Sequence, residues 1–291
     1  YGVFEVGMSK IGEIKNLSKL IAPDIGIITN IGEAHIENFK NINGIAEAKG
    51  EIIDSIKESG TIVLNRDDKF FSFLNKKAKL RKLKVVTFGK NSKSDIILLR
   101  IKKNKNLNKI FLKVKNKKII LEIKNINIYN VLASLAVIKE LNLSLNNLKK
   151  IFRNFEPSEG RGKIHIISRY SKKFTLIDES YNANPLSVKN AINNFNEIKK
   201  EKFKKYLILG DMLELGQKSE KYHKDLSKVI NNSNIDKVFI KAKKTLFTYK
   251  NLHKSKQGNI IQHKDDIDMI LSNVINNNDY LMIKGSNATG L

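Results

Sequence analysis

Short apolar runs of strand length recur along this chain, separated by stretches whose apolar residues fall at helical spacing. That alternation constrains the fold more than any other feature. Strands are expected at 2–7, 24–30 and 61–65, with helices at 11–21 and 43–58 between them. A strand-helix-strand rhythm implies parallel strands joined by right-handed crossovers. From 84 to 123 the rhythm changes to short strands at 85–88, 96–99, 110–114 and 119–123 with Lys/Asn turns, which predicts a β-meander; helices at 128–142 and 144–154 follow.

Phe155-Glu156-Pro157-Ser158-Glu159-Gly160-Arg161-Gly162 gathers proline and glycine after a helix and reads as a domain boundary. Beyond it the alternation resumes, with strands at 173–178, 206–210, 237–241, 259–262 and 279–284 and helices at 185–199, 217–231, 243–250 and 265–277. The expectation is α/β throughout: a parallel sheet plus meander over 1–157, then a doubly wound, Rossmann-like domain over 158–291. Tyr1 opens directly into an apolar run without a cap or turn, so the chain reads as starting inside a domain, with the second domain nearly complete.

Composition removes several function classes. The chain has no cysteine, so disulfides, thiolate nucleophiles and Cys-ligated zinc are out, and any metal must sit on oxygen or imidazole. No apolar run approaches the roughly 18 residues that span a bilayer, and a signal peptide pattern is missing, so the expected compartment is the cytoplasm. A formal charge of +25 raises nucleic acid as a partner. The lysines are dispersed among Asn and Ile without a recognition-helix or stacking-aromatic pattern, so no nucleic-acid partner is expected.

In doubly wound sheets ligands bind beyond the carboxyl ends of strands. Glu5 lies within the first apolar run, His35 follows the second strand, and Lys49 stands between Ala48 and Gly50 in the next helix. Carboxylate and imidazole converging at strand ends would suit Mg²⁺ or the phosphate side of a ligand, although each residue taken alone reads more readily as structural or solvated. Asp178-Glu179-Ser180-Tyr181-Asn182-Ala183-Asn184-Pro185 follows a strand and opens a helix, with Asn184 placed as N-cap and Pro185 in the first turn. Leu209-Gly210-Asp211-Met212-Leu213-Glu214-Leu215-Gly216 and Lys284-Gly285-Ser286-Asn287 also end strands. Three polar loops at one sheet edge predict a cleft.

These segments, together with Glu5 to Ile14, Thr29 to His35, Ala46 to Ile52 and Gly160-Arg161, resemble the Mur ligases in order and spacing along essentially the whole chain. The Asp178 to Pro185 and Leu209 to Gly216 stretches resemble the member type that adds D-alanyl-D-alanine to UDP-N-acetylmuramoyl-tripeptide. The resemblance implies an ATP- and Mg²⁺-dependent amide ligase of peptidoglycan synthesis, acting as a monomer through an acyl phosphate. It implies that Glu5 and His35 ligate Mg²⁺ and that Lys49 becomes a carbamate that supplies a further metal ligand. Asn130, Arg161, Asp178 and Glu179 match ATP-side positions; Tyr181, Asn182, Asn184, Asp211, Glu214, Lys284 and Ser286 fall on the substrate side. Ser286 matches the residue that holds the carboxylate of the incoming amine component.

Two departures stand out. Tyr129-Asn130-Val131-Leu132-Ala133 replaces a His-Asn pair with a second Asn three residues on, so one adenine-side amide is missing. The glycine-rich phosphate loop and the uridine-nucleotide domain of the family are absent from the 291 residues, so the chain by itself is expected to be inactive. Diaminopimelate and lysine both remain open as the third peptide residue. The rivals are another ligase of the superfamily, such as a folylpolyglutamate synthase, and a basic non-catalytic binding module.

Overall fold

The computed structural model describes residues 1–104, 107–114, 116–124, 127–144, 148–198, 202–241 and 243–291. They form two compact units: residues 1–31 with 38–156, and residues 32–37 with 157–291. The mixed α/β architecture expected from the alternation is borne out, with one six-stranded sheet in each unit.

In the first unit β1 (Ile25–Ile28), β2 (Thr61–Asn65), β3 (Lys84–Gly89), β4 (Ile96–Lys102), β5 (Asn108–Val114) and β6 (Lys117–Ile123) lie side by side in chain order. The ladders from β1 to β4 are parallel, and those from β4 to β6 antiparallel. The meander therefore extends the parallel sheet, and β3, expected as its first strand, belongs to the parallel part. All five residues of β2 are buried, as a strand covered on both faces requires. The core on one side joins β3 to β6 with α5 (Ile128–Glu140) through Phe88, Ile110, Leu121, Leu132 and Leu135.

The remaining helices here are α1 (Glu13–Ile21), α2 (Ile42–Gly50), α3 (Ile52–Ser55), α4 (Phe71–Leu80) and α6 (Leu148–Asn154). The single helix expected over 43–58 is broken at Glu51. Its carboxylate accepts from the amides of Gly12 (2.7 Å) and Lys15 (3.0 Å), filling donors that the start of α1 leaves open. The chain turns at Ile56, and the amide of Lys57 bonds to the carbonyl of Pro23. The helix expected from 144 has Ser144 outside it, while 145–147 lie outside the described residues.

The strand expected at 2–7 does not form. These residues pair with none of the described strands, and Val3 is 95% exposed. An apolar run reads as a strand only where a ladder partner accepts it, and none of the described strands does so here.

The second unit contains β7 (Lys163–Arg169), β8 (Lys172–Glu179), β9 (Lys205–Gly210), β10 (Lys237–Lys241), β11 (Gln257–Ile261) and β12 (Tyr280–Lys284), in the order β11-β10-β9-β12-β8-β7. All ladders are parallel except β7 with β8. Its helices are α7 (Pro185–Asn196), α8 (Ser219–Asn231), α9 (Thr245–Lys250) and α10 (Lys264–Met269), the last continuing into a π-helical turn at Ile270–Val274. The final strand, β12, is inserted between β8 and β9, so three chain segments leave the same sheet edge next to one another. Lys284 is level with Glu179 on one side and Leu209 on the other.

Behind the sheet, Lys205 is fully buried. Its ammonium donates to the Phe195 carbonyl and the Asn234 side chain, both at 2.9 Å, adding a cation at the C-terminal end of α7.

Candidate functional site

The edge of the second sheet is organised around the end of β12. Lys284, 3% exposed, donates to the Asn182 carbonyl (2.7 Å), the Glu179 carbonyl (3.2 Å) and the Glu179 carboxylate (3.3 Å). Burial pulls its ammonium below the ordinary lysine range, and Glu179 opposes that shift. Two residues on, the Ser286 amide donates to the Asp211 carbonyl, and its hydroxyl accepts from the amide of Leu213 at 3.2 Å and donates to the Ala183 carbonyl. At Gly285 a Cβ would come within 3.1 Å of Gly210 Cα, so the backbones of β9 and β12 meet closely there. Lys284 and Ser286, expected on the substrate, are thus engaged with protein groups that bind the 179–184 and 211–216 loops together.

Asp211 and Asn184 are engaged in the same way. Asp211 accepts from the amides of Thr245 (2.7 Å) and Lys244, capping α9, and Asn184 caps α7 in a reciprocal box with Ser187. Tyr181, Asn182 and Glu214 are exposed at the same edge.

The glycine-rich boundary segment folds onto the 178–184 loop. Asp178 accepts from the Gly160 amide (2.8 Å), the Ser180 amide (3.1 Å) and the Ser180 hydroxyl (2.6 Å). Burial pushes its pKa up, but these donors outweigh it and hold the carboxyl below its usual range. Gly160 has φ +71°, and a Cβ there would lie 2.7 Å from the Tyr181 backbone nitrogen, so only glycine permits the approach. Arg161 stacks over the Tyr181 ring at 4.0 Å from its centroid.

Sequence reasoning missed His223. Fully buried on α8, it accepts the Met212 amide at Nε2 (3.0 Å), while Nδ1 faces the Ser219 carbonyl at 2.8 Å. That pattern requires the neutral ring protonated at Nδ1. The signal lay in its position, at the inward helical spacing with Leu226, Ser227 and Ile230. Burial lowers the imidazole pKa below 6.5 in the folded state. The unfolded chain then binds more protons as pH falls, so stability is full above 6.5 and declines as pH drops below it. His223→Phe is expected to cost about 1–3 kcal/mol at neutral pH, from the stranded Met212 amide, and to flatten that acid-side decline. Urea unfolding across pH 5 to 8 checks both effects.

His35 belongs to the segment that clusters with the second unit. Its Nδ1 pairs with the Glu214 carboxylate, and the Glu37 amide donates to the Glu214 carbonyl. Both residues hold left-handed backbone, φ 57° and 59°, a conformation uncommon in non-glycine residues. Glu5, expected inside a strand beside His35, is exposed on unpaired backbone, so the strand geometry that was to bring them together is lacking.

In the first unit Lys49 is half-buried on α2, its ammonium donating to the Asn30 carbonyl at 3.1 Å. Burial lowers its pKa against the pull of Asp68, whose carboxylate is itself fixed by the Ile31 and Phe70 amides, both at 2.8 Å. Asn130 is exposed in the first turn of α5. Beside it the Tyr129 hydroxyl donates to Asp67 at 3.0 Å, and burial with that carboxylate raises the phenol to about 12. Ala133, at the position of the missing amide, is 4% exposed and packs in the core, where an amide would need a buried partner.

Residues 1–138 match the Mur ligase middle domain, and residues 162–287 match the Mur ligase, glutamate ligase domain. The UDP-N-acetylmuramoyl-tripeptide–D-alanyl-D-alanine ligase of Bacillus subtilis is 30% identical over 289 residues, covering 98% of this chain and 61% of that protein. MurF from Acinetobacter baumannii superposes with a TM-score of 0.86 at 24% identity, over 99% of this chain and 62% of that one. MurF from Thermotoga maritima, solved in complex with ADP, gives 0.83 at 23% identity, over 98% and 64%. The chain therefore spans less than two thirds of the length of these proteins. With both units matched by domains of one family, and a relative aligned along nearly all of its length, this chain belongs to the Mur ligase family.

Proposed function

We propose that this chain carries the lysine-bearing middle portion and the C-terminal domain of an ATP-dependent ligase that joins D-alanyl-D-alanine to UDP-N-acetylmuramoyl-tripeptide. The observation that carries the reading is the binding of the 179–184 and 211–216 loops into one edge through Lys284 and Ser286. These are the loops whose sequences resemble that member type, and the relative from Bacillus subtilis bears that name.

In the proposed reaction a substrate carboxylate attacks the γ-phosphorus of ATP, giving an acyl phosphate and ADP. The amine of D-alanyl-D-alanine then adds to the acyl carbon, and the tetrahedral intermediate expels inorganic phosphate to leave the amide. Asn130, Arg161, Asp178 and Glu179 are assigned to the nucleotide. Tyr181 and Asn182, exposed on a braced loop, are assigned to the amine substrate, with Asn184, Asp211, Lys284 and Ser286 holding those loops in place.

Two features fit the divalent metal. Metal-bound imidazoles commonly present their other ring nitrogen to a carboxylate, and Glu214 stands in that place on His35. Lys49 has the lowered pKa that leaves more of its amine neutral and able to add CO₂. Glu5, His35 and Lys49 as its carbamate are each assigned singly as a donor to Mg²⁺, which when bound would offset the charge gathered on the phosphates.

A substrate screen on the enzyme at its relatives' length tests this reading. UDP-N-acetylmuramoyl-tripeptide with D-alanyl-D-alanine is expected to give an ATP-dependent amide product by mass spectrometry. A folate with glutamate should give none; glutamate addition in place of dipeptide addition would overturn the assignment.

A further inference from the structure

The antiparallel register of β7 on β8 sets Lys163 opposite Asp178 and His165 opposite Leu176. Paired residues share a face, so His165 and Asp178 are diagonal neighbours on one side of the hairpin, within reach of their side chains. His165 is half-buried while Ile164 and Ile166 on either side of it point out to solvent. The turn at Gly160 then delivers Glu159 to the same spot, since the Gly160 amide is bonded to Asp178 itself.

One ligand atom from each of Glu159, His165 and Asp178 lies within 4.8 Å of the others, and His165 Nε2 is 3.1 Å from Glu159 Oε2. Metal bonds of about 2.1 Å separate two ligands by roughly 3.4 Å, so small side-chain shifts would close the set. Each member is prepared for it. Three donors hold Asp178 in place and keep it ionised. Glu159 turns one oxygen to Lys163 and the other to the imidazole. That imidazole nitrogen faces the carboxylate at hydrogen-bond distance, a contact the Nε2–H tautomer makes and a metal ion would replace.

We propose that Glu159, His165 and Asp178 form a binding site for a borderline divalent transition ion such as Zn²⁺ or Co²⁺. One imidazole with two carboxylates suits such ions better than Mg²⁺ or Ca²⁺, which favour all-oxygen shells. The bound ion clamps the 157–162 turn to the β7–β8 hairpin. The site shares Asp178 with the nucleotide side of the ligase reading, and its test stands apart from that reading because binding is measured with the metal alone.

The test is calorimetric titration of the 291-residue chain with ZnCl₂, with the visible spectrum of the Co²⁺ form as a second readout. One Zn²⁺ per chain is expected, together with a rise in Tm in excess Zn²⁺. His165→Gln should weaken binding at least tenfold and remove the Co²⁺ band, and Glu159→Gln, an exposed position that leaves folding intact, should weaken it as well. His253→Gln, outside the cluster, should bind as the parent does. Absence of stoichiometric binding, or equal binding by parent, His165→Gln and Glu159→Gln, would overturn the proposal.

Discussion

Lys49→Ala, made in the enzyme at its relatives' length, is expected to lower ligation about a thousandfold, near 4 kcal/mol of transition-state stabilisation. The expectation rests on what burial does to this amine. Lysine adds CO₂ only as the neutral base, releasing one proton as the carbamate forms, and desolvation at Lys49 lowers the pKa from 10.5. The same shift destabilises the folded chain while the amine is charged, and stability returns as pH rises toward 10.5. Lys49→Arg should be as inactive as Lys49→Ala, since a guanidinium carries the charge without forming the carbamate. Acetate or formate should restore part of the Lys49→Ala rate. Undiminished turnover by Lys49→Ala in CO₂-depleted buffer would remove the carbamate from the mechanism.

What the sequence revealed, and what it hid, divides along physical lines. Elements stabilised by their own pattern were legible: the apolar β2 and β9, the capped start of α7 at Asn184-Pro185, and the polar loops after β8, β9 and β12. Features set by distant partners were not. The expected long helix is interrupted at Glu51, whose carboxylate meets the amides at the start of α1, 36 and 39 positions away in the chain. Residues 2–7 have the composition of a strand but find no ladder among the described strands. The helix α4 was passed over because its inward pair, Leu74 and Ala78, is diluted by lysines. Within the candidate site, residue types pointed to the loops that share one sheet edge, whereas direction of the side chains separates exposed Tyr181 and Asn182 from the bracing Lys284 and Ser286. His223 carried no motif; its inward helical spacing marks it as buried, and its bond with the Met212 amide reveals its work.

ADP release with UDP-N-acetylmuramoyl-tripeptide and D-alanyl-D-alanine, measured on this chain and on the same chain extended to its relatives' length, tests the central claim most directly. None of the glycines in the 291 residues opens a Gly-Lys-Thr or Gly-Lys-Ser sequence of the kind that cradles β- and γ-phosphates. The site loops in the second unit are nevertheless built and braced. The predicted result is no turnover by the 291-residue chain, a cooperative unfolding transition from that same chain, and ADP release by the extended enzyme that requires both co-substrates. Comparable turnover by the 291 residues alone, or ADP release by the extended enzyme indifferent to the dipeptide, would contradict the assignment of these loops to an ATP-driven D-alanyl-D-alanine ligase.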